Sequence, residues 1–136
     1  KYYKKRLPKS KNIKINLLVD GDFHIRGDYI LLYWSFENLI KNSIESIKDN
    51  DGIIDIKIFK KDHKVGIIFN DNGIGIINKD KKQIFKPGYS TKSRGWGLGL
   101  SLSKRIINNI HKGNIRLQNS SKEGSSFLVI FRNFYS

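Results

Sequence analysis

The sequence predicts an α+β protein, a two-layer α/β sandwich in which one mixed, mainly antiparallel sheet carries helices on one face. Three observations support this fold class. The chain has 136 residues, enough for one domain, and 38% of them are hydrophobic. Segments with alternating apolar residues occur mostly in neighbouring pairs. Two longer segments with helical periodicity separate them, an order typical of one sheet covered by helices.

The first half of the chain predicts strands followed by a long helix. Apolar residues at 13, 15 and 17 alternate with polar ones, which indicates a strand, and residues 23–26 are interpreted as a second short strand. Asp28 is the expected N-cap of a helix from 29 to about 48. Its core stripe is expected to contain these residues: Leu32, Phe36, Leu39, Ile40, Ser43, Ile44 and Ile47. The helix is expected to stop near residues 50–52.

The second half predicts two hairpins with a helix between them. Residues 54–58 and 65–69 form the first hairpin around a turn at 60–64. A second helix opens at residues 95–100 and ends at Lys112-Gly113. Its apolar stripe is expected to be Leu98, Leu102, Ile106 and Ile110. Strands at 114–118 and 126–131 then flank a turn at 120–124.

Composition limits the class of protein but does not select a ligand. The chain has no cysteine, which excludes disulfides and thiolate metal sites, and no apolar run of the roughly 18 residues that a membrane span needs. Its 26 Lys and Arg residues against 12 Asp and Glu give a net charge of +14. That excess is compatible with nucleic acid, anionic lipid or a phosphorylated small ligand. Because methionine is also absent, we interpret residues 1–12 as a linker remnant and 13–136 as a domain cut from a longer protein.

Two amides on the long helix form the first candidate site. At 100° per residue, Asn38 and Asn42 lie with Leu31 on a line that we place opposite the aliphatic stripe. One interpretation is a solvated helix face. The other is a metal–phosphate site, because an amide oxygen can complete a Mg²⁺ shell made otherwise of water and phosphate oxygens.

Two glycine-rich segments add to the amides. Asp71 ends a buried strand and is followed by Gly73 and Gly75, which indicates either an ordinary turn or a pocket where the carboxylate accepts an adenine amine. Gly95, Gly97 and Gly99 directly precede a helix, where free backbone N–H groups bind phosphates. Hydroxyl and cationic side chains lie just upstream: Ser90, Thr91, Lys92 and Arg94.

In this order the segments resemble the four nucleotide-binding boxes of one family. Residues 38–42 resemble the N box, 71–75 the G1 box, 85–92 the F box and 95–100 the G2 box. The chain therefore resembles the catalytic ATP-binding domain of sensor histidine kinases, in the GHKL superfamily. The resemblance runs from about Asn12 to Phe131 and implies the Bergerat sandwich.

The resemblance also implies a role for each matching residue. Asn42 would hold Mg²⁺, Asp71 would take the adenine amine, and residues 77–94 would form the ATP lid, anchored by Phe85. The catalytic set would be Asn38, Asn42 and Lys92. The implied nucleotide-binding set is Asn38, Lys41, Asn42, Asp71, Gly73, Gly75, Ile76, Phe85, Ser90, Thr91, Lys92, Gly95, Trp96, Gly97, Leu98, Gly99 and Leu100. The implied cofactors are ATP and Mg²⁺.

Several positions depart from the family pattern. Trp96 replaces the usual Thr or Ser, Ser43 replaces alanine, and Lys112 replaces a glycine, with little effect expected of the last. Asn38 stands where related hydrolases and serine kinases have a glutamate base. This favours transfer to histidine, since neutral imidazole is already a nucleophile near pH 7. Another GHKL ATPase or a serine kinase is the alternative.

The acceptor histidine is expected outside this chain. His24, in a predicted strand, His63, in a hairpin turn, and His111, at a helix end, fit surface or capping roles better than an acceptor role. The implied partners are the protein's own dimerisation and histidine-phosphotransfer domain and a response regulator receiver domain, in a homodimeric parent. No nucleic-acid partner is expected, since no binding module accompanies the charge. We expect a cytoplasmic domain whose parent protein lies in the cell membrane.

Overall fold

Five strands form one sheet in the computed structural model, which describes residues 12–48, 51–76, 81–86 and 99–132. The strands lie in the order β1-β2-β3-β5-β4. Their bounds are Ile13–Asp20 (β1), Gly52–Lys61 (β2), Lys64–Asp71 (β3), Asn114–Ser121 (β4) and Gly124–Arg132 (β5). The helices are Tyr29–Ser46 (α1) and Gly99–Lys104 (α2), which continues as a π-helix over Arg105–Ile110.

The sheet is mixed because one connection crosses over it. Strands β1 and β2 pair in parallel, with α1 as the crossover between them, whereas the other neighbouring strands pair antiparallel. Strands β2 and β3 form the predicted hairpin around Asp62 and His63. The predicted fold class, a mainly antiparallel two-layer sandwich, is confirmed.

Helix α1 covers the sheet with the predicted apolar stripe. The Asp28 carboxylate accepts a hydrogen bond from the Leu31 N–H at 3.0 Å and is the N-cap. Leu32, Leu39 and Ser43 are buried beneath the helix. The Phe36 ring packs on Phe69 of β3 and Phe131 of β5 at centroid distances of 5.9 and 6.3 Å. One core therefore lies between the helices and the sheet.

The end of α1 comes earlier than the sequence suggests. Ile47 takes an extended conformation, with φ −87° and ψ 116°, and its N–H donates to the Ile44 carbonyl at 3.2 Å. Its side chain is fully buried in the core. Burying Ile47 favours the turn out of the helix, which ends two residues before the predicted limit.

The stripe predicted for the second helix is wrong at its last residue. Ile106 and Ile107 are buried, but Ile110 is 52% exposed. The His111 N–H donates to the Ile106 carbonyl, five residues back, at 3.0 Å. A π-helical turn is wider than an α-helical one and shifts the phase of the apolar face. Ile107 thereby turns to the core in place of Ile110.

The short strand predicted over residues 23–26 is also wrong. This segment is irregular in the structure, although Phe23 and Ile25 are half-buried. It carries the chain from the end of β1, an edge of the sheet, to the Asp28 cap. Its apolar side chains anchor a connection and do not indicate a strand. Within the described ranges, no helix combines the length and apolar character that crossing a bilayer requires.

Candidate functional site

Asp71, the last residue of β3, is held by a group of hydrogen-bond donors. Its Oδ1 accepts from the Gly73 N–H at 2.9 Å and the Ser125 N–H at 3.4 Å. The Ser46 hydroxyl also lies within reach at 3.3 Å and shares its single proton between Oδ1 and the Ser43 carbonyl at 2.8 Å. Its Oδ2 accepts from the Ser125 hydroxyl at 3.2 Å. The residue is 8% exposed. The carboxylate therefore keeps a fixed orientation with acceptor capacity left on Oδ2, since a carboxylate oxygen has two lone pairs.

The two glycines after Asp71 are required by close packing. A Cβ on Gly73 would collide with the Ser46 side chain, and a Cβ on Gly75 would collide with the Ser121 carbonyl oxygen. Gly75 also has a φ of +76°, in the left-handed region that favours glycine. The sequence correctly indicated that Gly75 does more than complete a tight turn, because it lets the loop lie directly on the β4–β5 hairpin.

Further bonds fix the loop on both sides. The Ile74 N–H donates to the Ser46 carbonyl at 3.0 Å, which ties the loop to the end of α1. The Ile76 N–H donates to the Ser120 hydroxyl at 2.7 Å. Ile76 also packs on the core. The wall that includes Gly73, Gly75 and Ile76 is thus attached to α1 and to β4.

The amides of α1 are not on the face opposite the core that the sequence predicted, and Asn38 lies beside the second helix. Asn38 and Asn42 are half-buried, and Leu31 on the same line packs against the core. A Cβ on Gly99 would lie 3.9 Å from the Asn38 side chain. The line was placed too far round the helix because the second helix covers the flank of α1. Lys41, by contrast, is exposed.

One face of α1 connects the two candidate segments. Asn38, Asn42 and Ser46 are spaced by four residues and so lie on one side of the helix. Ser46 bonds to Asp71, whereas Asn38 lies next to Gly99 at the start of α2. At 1.5 Å per residue this face covers about 12 Å. It forms a continuous polar track from the carboxylate to the beginning of the second helix.

Part of the predicted lid is described and packs on the sheet. The Phe85 ring meets Phe127 edge to face at 6.1 Å, and the Lys104 ammonium lies 5.3 Å from the Phe85 centroid. Ile84 is buried, and the Lys81 ammonium donates to the Ser120 carbonyl at 3.3 Å. Residues 81–86 are therefore seated on β4, β5 and α2.

Some predicted site residues lie outside the described residues. Gly99 opens α2 and Leu100 packs on the core. The remaining residues of this set lie outside the described ranges, so their predicted roles stay predictions: Ser90, Thr91, Lys92, Gly95, Trp96, Gly97 and Leu98.

The polar track fits a Mg²⁺ ion that is held mainly by its ligand. Across the described ranges, no three His, Cys, Asp or Glu side chains converge to form a metal site. Mg²⁺ keeps several waters and commonly binds through substrate phosphates and one or two protein oxygens. An amide oxygen on the half-buried face of α1 matches this pattern.

Two site residues were missed by the sequence analysis. Ser46 and Ser125 orient the Asp71 carboxylate, although they lie 25 and 54 residues from it. The available signals were that Ser46 continues the four-residue spacing of the two asparagines and that Ser125 follows the glycine of the last hairpin.

The three histidines lie at a helix end, in a hairpin turn and in irregular chain. The His111 Nε2 accepts from the Asp28 N–H at 2.9 Å, and its Nδ1 lies 2.8 Å from the Ile106 carbonyl oxygen. This ring joins the end of the second helix to the start of α1, which confirms a capping role. His63 lies in the predicted turn, whereas His24 lies in irregular chain and not in a strand.

The fold and this site define a class of protein: a two-layer sandwich that binds ATP. The chain belongs to the histidine kinase-, DNA gyrase B- and HSP90-like ATPase family, whose model matches residues 27–133. Among curated proteins it is 39% identical over 108 residues to sporulation kinase A of Bacillus subtilis and 38% identical over 107 residues to the signal transduction histidine-protein kinase AtoS of Escherichia coli. These matches cover 79% and 78% of this chain.

Solved structures agree with the sequence relatives. The catalytic domain of histidine kinase ThkA superimposes with a TM-score of 0.84 at 30% identity, over 96% of this chain and 85% of that one. A second structure, of ThkA in complex with the response regulator TrrA, gives a TM-score of 0.79 at 27% identity, over 96% of this chain and 37% of that one. The chain spans 18% of sporulation kinase A and 17% of AtoS. It therefore corresponds to the catalytic domain of such kinases.

Proposed function

We propose that this domain binds Mg-ATP and transfers the γ-phosphoryl group to a histidine on an adjacent dimerisation domain of a sensor histidine kinase. The observation that carries the proposal is the polar track on α1. It joins a buried, oriented carboxylate at Asp71 to the start of α2 at Gly99. One end of the track has a carboxylate that can accept a hydrogen bond from adenine, and the other end has the start of a helix, which can bind phosphates. This arrangement suits an extended adenine nucleotide.

The adenine would bind at Asp71. The exocyclic amine would donate to Oδ2, which has one partner among the described residues, while the Gly73 N–H and Ser46 hold Oδ1. Gly75 lets the loop pack on the Ser121 carbonyl, which fixes the wall beside Asp71 against which the ring would lie. This arrangement selects a purine with an amine donor, because a carboxylate can only accept hydrogen bonds.

The phosphates would lie at the other end of the track. The start of α2 offers backbone N–H groups, and Lys92 with Ser90 and Thr91 would add charge and donors. Asn42 would hold Mg²⁺ through its amide oxygen, with Asn38 beside it. When bound, Mg²⁺ offsets the charge of the phosphates.

Asn38 supports transfer to histidine over hydrolysis. An amide cannot take a proton from water, so a general base is absent at this position. Glu37 is half-buried but projects about 100° away around the helix. A neutral imidazole acceptor needs no such base. Rapid ATP hydrolysis by the isolated domain would instead indicate a gyrase-like ATPase.

The wider assignment concerns partners and location. We propose that a response regulator receives the phosphoryl group, since the related ThkA has been solved in complex with one. We also propose that the parent protein is a homodimer in the cell membrane with this domain in the cytoplasm, where ATP is available.

The test is an ATP titration by calorimetry with Mg²⁺ present. Asp71→Asn replaces an acceptor oxygen by an amide donor facing the adenine amine, so affinity should fall by about 100-fold, as for a lost charged hydrogen bond and an unmatched donor. Asp62→Asn, at an exposed turn, is the matched control and should bind normally. Unchanged affinity in Asp71→Asn would overturn the adenine assignment.

Phosphoryl transfer needs its own test. A separately produced dimerisation domain of a related kinase, incubated with this domain and ATP labelled on the γ-phosphate, should acquire acid-labile label on histidine. The same acceptor with glutamine at that histidine should stay unlabelled. Normal ATP binding without transfer to any supplied dimerisation domain would contradict the kinase assignment while leaving the ATP site intact.

A further inference from the structure

The first two turns of α1 expose a group of large apolar side chains. Tyr29 is 80% exposed, Ile30 74%, Tyr33 47% and Trp34 44%. The rings of Tyr29 and Tyr33 lie 6.4 Å apart. We call these four residues the aromatic patch. On the next turns of the same face the helix carries Glu37 and Lys41, as a surface helix usually does. A contiguous exposed apolar patch of this kind marks an interaction surface.

A basic cleft lies next to the aromatic patch. Its volume is about 1020 Å³, and among its described lining residues Asp28 is the one carboxylate. Asp28 already caps α1 through Oδ1. Four Lys and Arg side chains line the cleft: Arg26, Lys64, Lys112 and Arg132. The cleft therefore has a strong excess of positive charge.

Two of these cations lie side by side on adjacent strands of the sheet. Lys64 of β3 and Arg132 of β5 are direct cross-strand partners. Like charges in this position repel and destabilise the pairing. An anion held between or above them would relieve the repulsion, which indicates that the cleft is suited to a negatively charged partner.

The patch and the cleft form one surface at one end of the molecule. Asp28, which directly precedes Tyr29, and Ile110 both line the cleft. The hydrogen bond between the Asp28 N–H and His111 fixes the start of α1 against the end of the second helix. Ile110, exposed by the π-helical turn, adds another apolar group. This end lies opposite Asp71, because β3 runs from Lys64 to Asp71.

We propose that this end of the domain docks on an anionic lipid bilayer surface. Tyr and Trp side chains favour the headgroup region, where an apolar ring and a polar tip are both satisfied. The cations of the cleft would face anionic headgroups. The exposed isoleucines favour a bilayer over nucleic acid, which offers phosphates and flat bases but no hydrocarbon phase. A second copy of the chain would place like charges against each other.

Binding is tested by sedimenting the 136-residue chain with vesicles of phosphatidylcholine, alone or mixed with phosphatidylglycerol. The chain should bind the mixed vesicles, and higher salt should weaken the binding. Absence of binding to the mixed vesicles at low salt would overturn the proposal. The proposal would also be overturned if a polynucleotide bound to the same end of the domain and neither kind of vesicle competed with it.

The apolar contribution is tested by Ile30→Ser against Ile53→Ser. Both residues are exposed isoleucines, but Ile53 lies at the opposite end, where its N–H bonds to Asn72. Ile30→Ser should lower vesicle affinity about fivefold or more, since insertion buries the side chain. Ile53→Ser should have no effect. Equal affinities for the two variants would show that no apolar group inserts.

The charge contribution is tested by two double variants with equal change in net charge. Lys64→Glu/Arg132→Glu alters the cleft, whereas Lys14→Glu/Lys122→Glu alters exposed lysines near the other end. The first should lose at least about tenfold in affinity and the second much less, because each basic residue near the surface contributes separately. Equal losses would indicate diffuse attraction to the net charge of +14 and no defined surface. Circular dichroism melts verify folding, and Lys112→Glu, compared with Lys122→Glu alone, replaces the first pair if that double variant unfolds.

Discussion

At the scale of single residues, some glycines are required by close packing, whereas others only begin a helix. Gly75 and Gly99 both belong to the predicted nucleotide site, but their surroundings differ. Gly75 has a left-handed φ of +76° and lies against the Ser121 carbonyl. Gly99 begins a helix, and an added Cβ would make only an ordinary contact with Asn38 at 3.9 Å.

Gly75→Ala should therefore be strongly destabilising. Both the left-handed backbone and the collision with Ser121 oppose it, so the free energy of unfolding should fall by about 3 kcal/mol or more. Gly99→Ala is the matched control and should change stability by less than about 1 kcal/mol, since alanine favours helices. Urea unfolding followed by circular dichroism measures both. Similar losses in the two variants would contradict the packing described at Gly75.

Ser43 illustrates the opposite situation, a residue that weakens the fold. Its side chain is fully buried, and its hydroxyl has no hydrogen-bond partner within the described part of the chain. Ser43→Ala removes an unsatisfied polar group and adds a better helix former, so the free energy of unfolding should rise by about 1–2 kcal/mol. Ser35→Ala, by contrast, removes a hydroxyl that donates to the Leu31 carbonyl at 3.1 Å and should give a smaller gain. A Ser43→Ala variant less stable than the parent chain in thermal melts would refute this account.

The sequence predicted the key residue of the site but not its supports. Asp71 was identified from its own segment, since a carboxylate at a strand end followed by two glycines is a local pattern. Ser125 could not be found in this way, because its partner lies 54 residues distant and the register of β3 with β5 decides the contact. Contacts of this kind form only in the assembled sheet, so no local sequence pattern indicates them.

At the scale of elements, the helix and strand periodicities predicted the sandwich, and errors occurred where tertiary contacts override them. The second helix follows a stripe only as far as Ile106, because the π-helical turn then changes the phase. Residues 23–26 look like a strand since apolar anchors of an irregular connection can alternate by chance. Both errors concern backbone geometry that side-chain patterns do not encode.

The backbone at the end of the second helix takes a conformation that is unfavourable for a residue with a side chain. Lys112 has a φ of 56°, in the left-handed region that favours glycine, the residue that the family resemblance implied at this position. The little effect expected from the sequence underestimates this conformation. Lys112→Gly should raise the free energy of unfolding by about 0.5–1 kcal/mol, because glycine takes this φ without steric strain.

Thermal melts of Lys112→Gly should show the gain, with Lys122→Gly as its control. Lys122 lies in the exposed β4–β5 turn, and its own φ is not positive. That control should be neutral or slightly destabilising, since glycine adds freedom to the unfolded chain. A loss of stability in both variants would mean that the Lys112 side chain contributes more than its backbone costs.

At the scale of the whole molecule, the two helices give the domain two functional ends. They run antiparallel: Asp28 meets His111 at one end, and Gly99 meets Asn38 near the middle of α1. The last residue of α1, Ser46, reaches Asp71 at the other end. The candidate nucleotide site occupies the second end and the basic cleft the first. The net charge of +14 is thus not explained by the nucleotide alone.

ATP should stabilise the whole domain in a Mg²⁺-dependent manner. A ligand that binds only the folded state at 100 times its dissociation constant adds about 2.7 kcal/mol, so the melting temperature should rise by several degrees. Chelating Mg²⁺ should reduce this rise, because the phosphates then lose their counter-ion. In Asn42→Ala the Mg²⁺-dependent part of the rise should shrink, because the ion is then held only by the phosphates and water, whereas Asn16→Ala on β1, far from the track, should behave like the parent chain. A full Mg²⁺ increment in Asn42→Ala would contradict a protein ligand for the metal at Asn42.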